Sequence, residues 1–364
     1  MVIFQQRYDQ IMKICKQIMT NRQMIAQDEI EKLILGKVDT VTTSEDLLTH
    51  LVAESLLKRI DRQLLDSKNI YVQQLDIPQI VMFYNMAKAV PFVEAGHSIA
   101  NQYIASALAG LSEAAIFDIG MGKGVQLKAF CRKLAASSTP LKSLSIIGLD
   151  PDGNNLSEFQ RDVDGIRGEV PFRVTFYPFN GLIEDLSLEQ YREIQRIGAG
   201  NLLVNSSFAF HHTVHPVNDV ELRTELFRRI AGMKPLLFTL VEPSSNHDTE
   251  ELPRRLHNSW QHFGCLFQCI DESDLDPANK FLIKEKFFGR EVRDIFGVSD
   301  RFRCERHELF DSWLLRLKRA GLKPFDGVRP SVDLPVGCSA VISEGITRLN
   351  YRETTIVAVF ACTP

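Results

Sequence analysis

The residues Ala115-Ile116-Phe117-Asp118-Ile119-Gly120-Met121-Gly122-Lys123-Gly124 run from apolar and small side chains into an acid, then into glycine at every second position. Such a run describes a buried strand that breaks into a turn carrying little side chain. Gly120, Gly122 and Gly124 allow positive φ and let a guest approach the main chain closely. Val125 to Leu134 then reads as a helix, whose first-turn N–H groups point into the same space and favour a polar or charged small molecule. A second apolar strand, Leu144 to Leu149, ends in Asp150, where an acid can accept hydrogen bonds from both hydroxyls of a ribose. Each feature has a plainer reading. The loop serves equally as a tight strand-to-helix turn, and Asp150 as a cap for the helix that begins near Asn154.

Three further strand ends carry polar groups toward the same rim. Phe179-Asn180-Gly181 offers an amide that suits an adenine edge or simply a turn. Asn205-Ser206-Ser207, followed by Phe208, Phe210, His211, His212 and His215, places Asn205 either against a ligand or against strand-end backbone. Glu242-Pro243-Ser244-Ser245-Asn246-His247 closes the series. A histidine and a glutamate on neighbouring strand tips suit general acid–base work, with His211 or His247 as the base and Glu242 orienting the imidazole. His97, His212 and Asn246 are candidates for contact with the substrate. Asp118 either anchors the loop or touches a ligand's amino group. Adjacent histidines diverge on regular backbone, so a metal cluster of His211, His212 and His215 is set aside and no metal is expected. His257, His262, Cys265 and Cys269 sit among apolar and aromatic neighbours, which reads as packing.

In dinucleotide enzymes the glycines follow the strand as G-x-G-x-x-G. Here they read D-x-G-x-G-x-G, which resembles motif I of class I methyltransferases and implies S-adenosylmethionine as cofactor. On that resemblance Asp118, Gly120, Gly122, Gly124, Asp150, Asn180 and Asn205 form the expected cofactor site.

The elements that must position these groups follow from periodicity. Residues 1 to about 90 read as helices only. Ile3, Phe4, Ile11, Met12, Ile14, Cys15, Ile18 and Met19 recur at helical spacing. Further helices are predicted over 28–35, over 43–65 behind a Thr43/Asp46 cap, and from Asp76 to near Pro91. After a helix at 97–110, strands at 115–119, 144–149, 171–177, 201–206 and 236–242 alternate with helices at 124–136, 154–163, 187–197 and 217–232. That alternation predicts an α/β fold with a mostly parallel sheet and helices on both faces. Residues 248–300 read as a mostly helical insertion, 305–320 as a helix, and 339–343 with 354–362 as a closing antiparallel hairpin. The expected division is an N-terminal helical cap (1–90) and a core (91–364).

Composition narrows the class. The chain has 364 residues, a formal net charge of −4 and no dense basic run, so nucleic acid is not an expected partner. No apolar run approaches the roughly 20 residues of a membrane span. The N-terminus lacks the order of a secretion signal. Seven scattered cysteines without a C-x-x-C pair point to reduced thiols and a cytoplasmic protein. Exposed faces of the first helix leave a homodimer open.

Over about residues 45–362 the chain resembles the GRAS-domain family. Thr43–Ile60, ending Ser55-Leu56-Leu57-Lys58-Arg59-Ile60, is similar to its first leucine-rich helix. Pro91-Phe92 with His97-Ser98-Ile99-Ala100-Asn101-Gln102 resembles the segment that follows, and Ile116-Phe117-Asp118-Ile119-Gly120 its VHIID motif. Val204-Asn205-Ser206 with Phe210-His211, and Leu240-Val241-Glu242 with Asn246-His247, match two more signatures. Phe287-Phe288-Gly289-Arg290-Glu291-Val292, and Arg303-Cys304-Glu305-Arg306-His307-Glu308 with Trp313 and Arg316, complete the order. The usual tryptophan of the C-terminal strand motif is absent, and Tyr351 and Phe360 are the nearby aromatics.

The resemblance implies a Rossmann-type methyltransferase fold with a helical cap. Plant members are transcriptional regulators, many with a degraded glycine loop, whereas bacterial members have been proposed as small-molecule methyltransferases. The three alternating glycines, Asp150 and the lack of a long leading extension place this chain with the bacterial type. The resulting expectation is an S-adenosylmethionine-dependent methyltransferase with a small-molecule acceptor. Its alternative is a non-catalytic, regulatory scaffold that binds ligands or proteins.

Overall fold

Strands β1 (Glu113–Ile119), β2 (Ser143–Asp150), β3 (Arg173–Asn180), β4 (Leu202–Ser207) and β5 (Leu237–Pro243) pair in parallel in the order β3-β2-β1-β4-β5. This is a computed structural model, and it describes residues 2–60, 86–137, 139–213, 221–300 and 302–364. The strand order reverses between β1 and β4, and ligands of doubly wound sheets bind beyond the strand ends at such a switch point. Beyond β5 the sheet turns antiparallel through β9 (Thr354–Thr363), β8 (Ile346–Tyr351) and β7 (Cys338–Ser343), while β6 (Lys323–Pro324) pairs with β9. The result is a mixed α/β fold with a mostly parallel sheet and antiparallel C-terminal strands.

Successive strand residues face opposite sides, and both sides of β1, β2, β4 and β5 are largely buried. Ile116, Leu144 and Ile146 pack with α4 (Pro91–Ala107), α5 (Val125–Ala135) and α6 (Gly153–Glu169). Phe117, Ile147 and Val204 pack with α7 (Leu188–Gly198), α8 (Leu222–Gly232) and α12 (Phe310–Arg319). At the N-terminus, α1 (Gln5–Met19), α2 (Gln23–Glu31) and α3 (Ser44–Ile60) share the first core with the helices of the 248–300 segment. Those are α9 (Leu252–Glu272), α10 (Pro277–Leu282) and α11 (Gly289–Gly297), with a π-helical turn at Ile283–Phe288 between the last two.

Several boundaries differ from expectation for local reasons. α4 starts at Pro91, six residues before the predicted helix, because proline suits the first helical position after an extended Val90. α6 is capped by Asp152, whose side chain accepts from Asn154 N, so Asp150 is free of that duty. The predicted helix at 305–320 begins only at Phe310. Asp294 takes the N–H groups of Cys304 and Glu305, and Ser244 bridges Glu308, so these residues are tied elsewhere and do not join the helix. The closing hairpin has an unforeseen middle strand, β8. Its buried positions are Thr347, Leu349 and Tyr351, so a polar residue sits in an inward slot and blurs the period-two signal. Most of the helix expected from Asp76, and His215, lie outside the described residues. Among those described, no helix is long and apolar enough to cross a membrane.

Candidate functional site

A cavity of about 780 Å³ opens at the switch point. Its floor is the turn after β1, its far wall the 262–307 region, and its side the N-terminal half of α4 with Met86, Val90 and Val93. Of the expected site residues, Asp118, Gly120, Gly122, Asp150, His97, His211 and His212 line it. Gly124, Asn180, Asn205, Glu242, Asn246 and His247 do not.

The glycine turn is real, but its amides are largely spent on the protein. Gly120 N and Met121 N donate to Leu149 O, Gly124 N to Met121 O, and Gly122 N to Asp150 Oδ2 at 2.8 Å. Asp150 also accepts from Asp152 N at 2.9 Å and Asn155 Nδ2 at 3.1 Å, both on Oδ1. Its carboxylate therefore ties the two strand ends together, and Oδ2, with one donor, keeps the larger share of free lone-pair capacity. Burial pushes the Asp150 pKa up, against those hydrogen bonds. Gly124 packs its backbone against Phe159 and provides no capping side chain for α5, whose residues Val125 and Gln126 line the cavity.

Behind the floor runs a buried polar rail. Asn205, fully buried, donates to Asp118 Oδ1 at 2.7 Å and accepts from Thr239 Oγ1 at 2.7 Å. Gln126 bridges Asn101, Asn205 and Ser207. Asn205 is thus a support rather than a cofactor ligand, because its amide is consumed by protein groups. Asp118 is pushed up to about 7 by burial, although Asn205 opposes the shift. Asn180 donates to the carbonyl oxygens of Asp150 and Pro151, so its turn role prevails over an adenine contact.

The histidine side is more crowded than the sequence suggested. Glu242, with no exposed surface, accepts from the backbone N–H of Ala209, Phe210 and His211 and meets His211 Nδ1 at 2.6 Å. The expected orientation of His211 by Glu242 is therefore present, although Glu242 also folds the turn after β4. Burial raises the Glu242 pKa to about 7 against the hydrogen bond from Phe210. Burial also lowers His211 well below the usual imidazole range, His212 to about 3 and His97 to about 4, so all three are neutral at pH 7.

His247 is fully buried, bonds Ser245 Oγ at 2.8 Å and stacks on Phe263. As a base it is misplaced, since it does not reach the cavity. Asn246 accepts from Thr249 N and shapes a turn. The sequence reading missed His262, Glu291, Cys304 and His307, all of which line the cavity. His262 looked like packing from its neighbours, and His307 carried no signal beyond the Arg-x-Glu-Arg-His-Glu pattern.

With this geometry in place, the family is clear. The GRAS domain family profile matches residues 8–329, and the chain belongs to that family. It is similar to DELLA protein RGL3 of Arabidopsis thaliana, at 24% identity over 67% of this chain and 46% of that protein. It is also similar to chitin-inducible gibberellin-responsive protein 1 of Oryza sativa subsp. japonica, at 24% identity over 86% of this chain and 57% of that protein. The chain thus spans about half the length of these curated relatives. The crystal structure of SCL7 from Oryza sativa superimposes with a TM-score of 0.74 over 92% of this chain and 93% of that one, at 17% identity, which shows the shared fold.

These findings correct four expectations. The relatives are plant proteins, so the bacterial assignment is withdrawn. They are DELLA, scarecrow-like and gibberellin-responsive proteins of the GRAS family, not methyltransferases by name, and on them the methyltransferase reading is withdrawn. A small-molecule acceptor of a methyl group falls with it. The exclusion of nucleic acid is likewise unsupported.

Proposed function

We propose that this chain is a non-catalytic GRAS-type regulatory scaffold whose cavity binds a small ligand and whose surface engages proteins. The observation that carries the reading is the cavity itself, about 780 Å³ and sited at the switch point of the sheet. Protein interiors otherwise pack to crystal density, so a concavity of that size at the strand ends is a feature shaped for a guest. The helices before residue 90 act as a cap on the 91–364 core, and the 248–300 segment joins the two. The seven free thiols suit a reducing compartment, and the cytoplasm is the proposed location.

S-Adenosylmethionine is the proposed occupant of the glycine-turn end. Asp118, Gly120, Gly122 and Asp150 face it there. Because most turn amides are already bonded, the ligand would be held by Asp150 Oδ2, the α5 N-terminus and the apolar wall.

Calorimetric titration with S-adenosylmethionine and S-adenosylhomocysteine tests this, alongside a check for S-adenosylhomocysteine formed on incubation with S-adenosylmethionine. Saturable binding with no product formed supports a sensor. A ligand at 100 times its Kd should add about 2.7 kcal/mol of stability, visible as a raised melting temperature. No binding of either compound removes the adenosyl occupant, and catalytic formation of S-adenosylhomocysteine removes the non-catalytic reading.

A further inference from the structure

The geometry points to a divalent transition-metal site, with zinc as the first candidate, formed by His211, Glu305 and His307 on the inner wall of the cavity. One donor atom from each of these three buried residues lies within 4.8 Å of the others. Glu305 and His307 are two apart in the chain and both are buried. His211 comes from the turn after β4. His307 Nε2 is 2.9 Å from Glu305 Oε2, and His211 Nε2 is 3.7 Å from the same oxygen.

The neighbour of His211 fixes its tautomer. Glu242 already accepts three backbone N–H groups, so it takes the Nδ1 proton, and the Nε2 lone pair then faces Glu305. A carboxylate behind a ligating imidazole is the usual outer partner of a metal histidine. A proton on His307 Nε2 would satisfy one contact with Glu305 and leave the His211 lone pair aimed at an anion. A dication answers both contacts. Two imidazoles and a carboxylate suit zinc at about 2.0–2.2 Å per donor, reached by a small inward rotation of the side chains. His211 and His307 line the cavity, so the fourth coordination position opens onto it. This assignment does not depend on what occupies the glycine-turn end.

The test uses the full chain, freed of metal with a chelator and titrated with Co²⁺ and then Zn²⁺. The expected result is one Co²⁺ per chain with visible ligand-field absorption, displaced by Zn²⁺. X-ray absorption of the zinc form should show two imidazoles and no sulfur. His307→Ala should abolish the bands. Glu242→Gln retains all three ligands and should weaken Zn²⁺ binding by about 10–100-fold. If either variant misfolds by circular dichroism, the wild-type spectra decide alone. A folded wild type that takes up neither ion, sulfur in the coordination shell, or a folded His307→Ala variant that binds as before overturns the site.

Discussion

Asp118 shows how much a single buried acid shapes this molecule. It is 4% exposed, accepts a hydrogen bond from Asn205 Nδ2, and has its pKa lifted by burial from 3.8 to about 7. A carboxyl with a raised folded-state pKa favours folding below its unfolded pKa, and that advantage is lost as pH rises through the folded value. Between pH 4 and pH 7, Asp118 therefore costs the wild type a growing amount, up to about 4 kcal/mol for a shift of this size. Asp118→Asn carries no such term. Urea unfolding from pH 4 to 8 should show the variant gaining on the wild type up to about pH 7 and running level above it; parallel profiles would show that Asp118 does not titrate in this window. Glu242 behaves differently because it has four donors around it. Glu242→Ala would leave buried N–H groups without an acceptor, at about 1–3 kcal/mol for each that water cannot reach. A drop in unfolding free energy of several kcal/mol is expected, and a loss under 1 kcal/mol would mean that water takes the carboxylate's place.

At the scale of elements, the three alternating glycines look alike in sequence and do three different jobs. A Cβ on Gly120 would lie 2.5 Å from Ala209 Cβ, and one on Gly124 would lie 2.2 Å from Phe159 Cδ2. Gly122 has nothing within 4 Å and faces the cavity. All three have positive φ. Gly122→Ala should cost only backbone strain, about 1–2 kcal/mol, whereas Gly124→Ala adds a clash that α6 must yield to, for about 3–5 kcal/mol in total. Denaturant midpoints of the two variants check the contrast, and equal losses would show that steric contact with Phe159 is not what requires a glycine.

The same distinction explains what was legible in advance. Strands β1, β4 and β5 declared themselves because both of their faces are buried and apolar residues dominate them, whereas the edge strand β3 buries only alternate residues. The non-helical path of Cys304–Leu309 did not, because Asp294, on the preceding helix, takes the amides of Cys304 and Glu305. The strand ends told which residues gather at the rim, but not which way they turn. Asn205 and Asp150 are drawn into bonds with the protein's own groups, and His247 turns toward Ser245, while His262 and His307 enter from segments that carried no site signal.

For the whole molecule, the question is what fastens the N-terminal helices to the rest across the cavity. Asp300 is one such fastening. Arg255 of α9, with a fully buried side chain, donates Nη2 to Asp300 Oδ1 at 2.5 Å, and Arg59 at the end of α3 reaches Asp300 Oδ2 at 2.9 Å. One carboxylate thus joins the cap to the segment that walls the cavity. Removing it strands the Arg255 charge in the interior, and breaking a buried pair from one side costs about 3–5 kcal/mol. Asp300→Ala belongs at the lower end, since the Asp300 side chain is 26% exposed. The pair Arg132–Glu169, about half exposed on both sides, provides the contrast, and Glu169→Ala should leave the unfolding midpoint essentially unchanged. Acid should repeat the effect in the wild type. Burial pushes the Asp300 carboxyl up, but Arg255, Arg59 and Arg303 outweigh it and hold the carboxyl below its usual range. A depressed folded-state pKa gives stability above the unfolded value that disappears as pH falls through the folded one. Limited proteolysis should therefore cut first within the N-terminal helices, both in Asp300→Ala at neutral pH and in the wild type below about pH 4. Cleavage that instead starts in the sheet core would mean these helices are held by their apolar contacts alone.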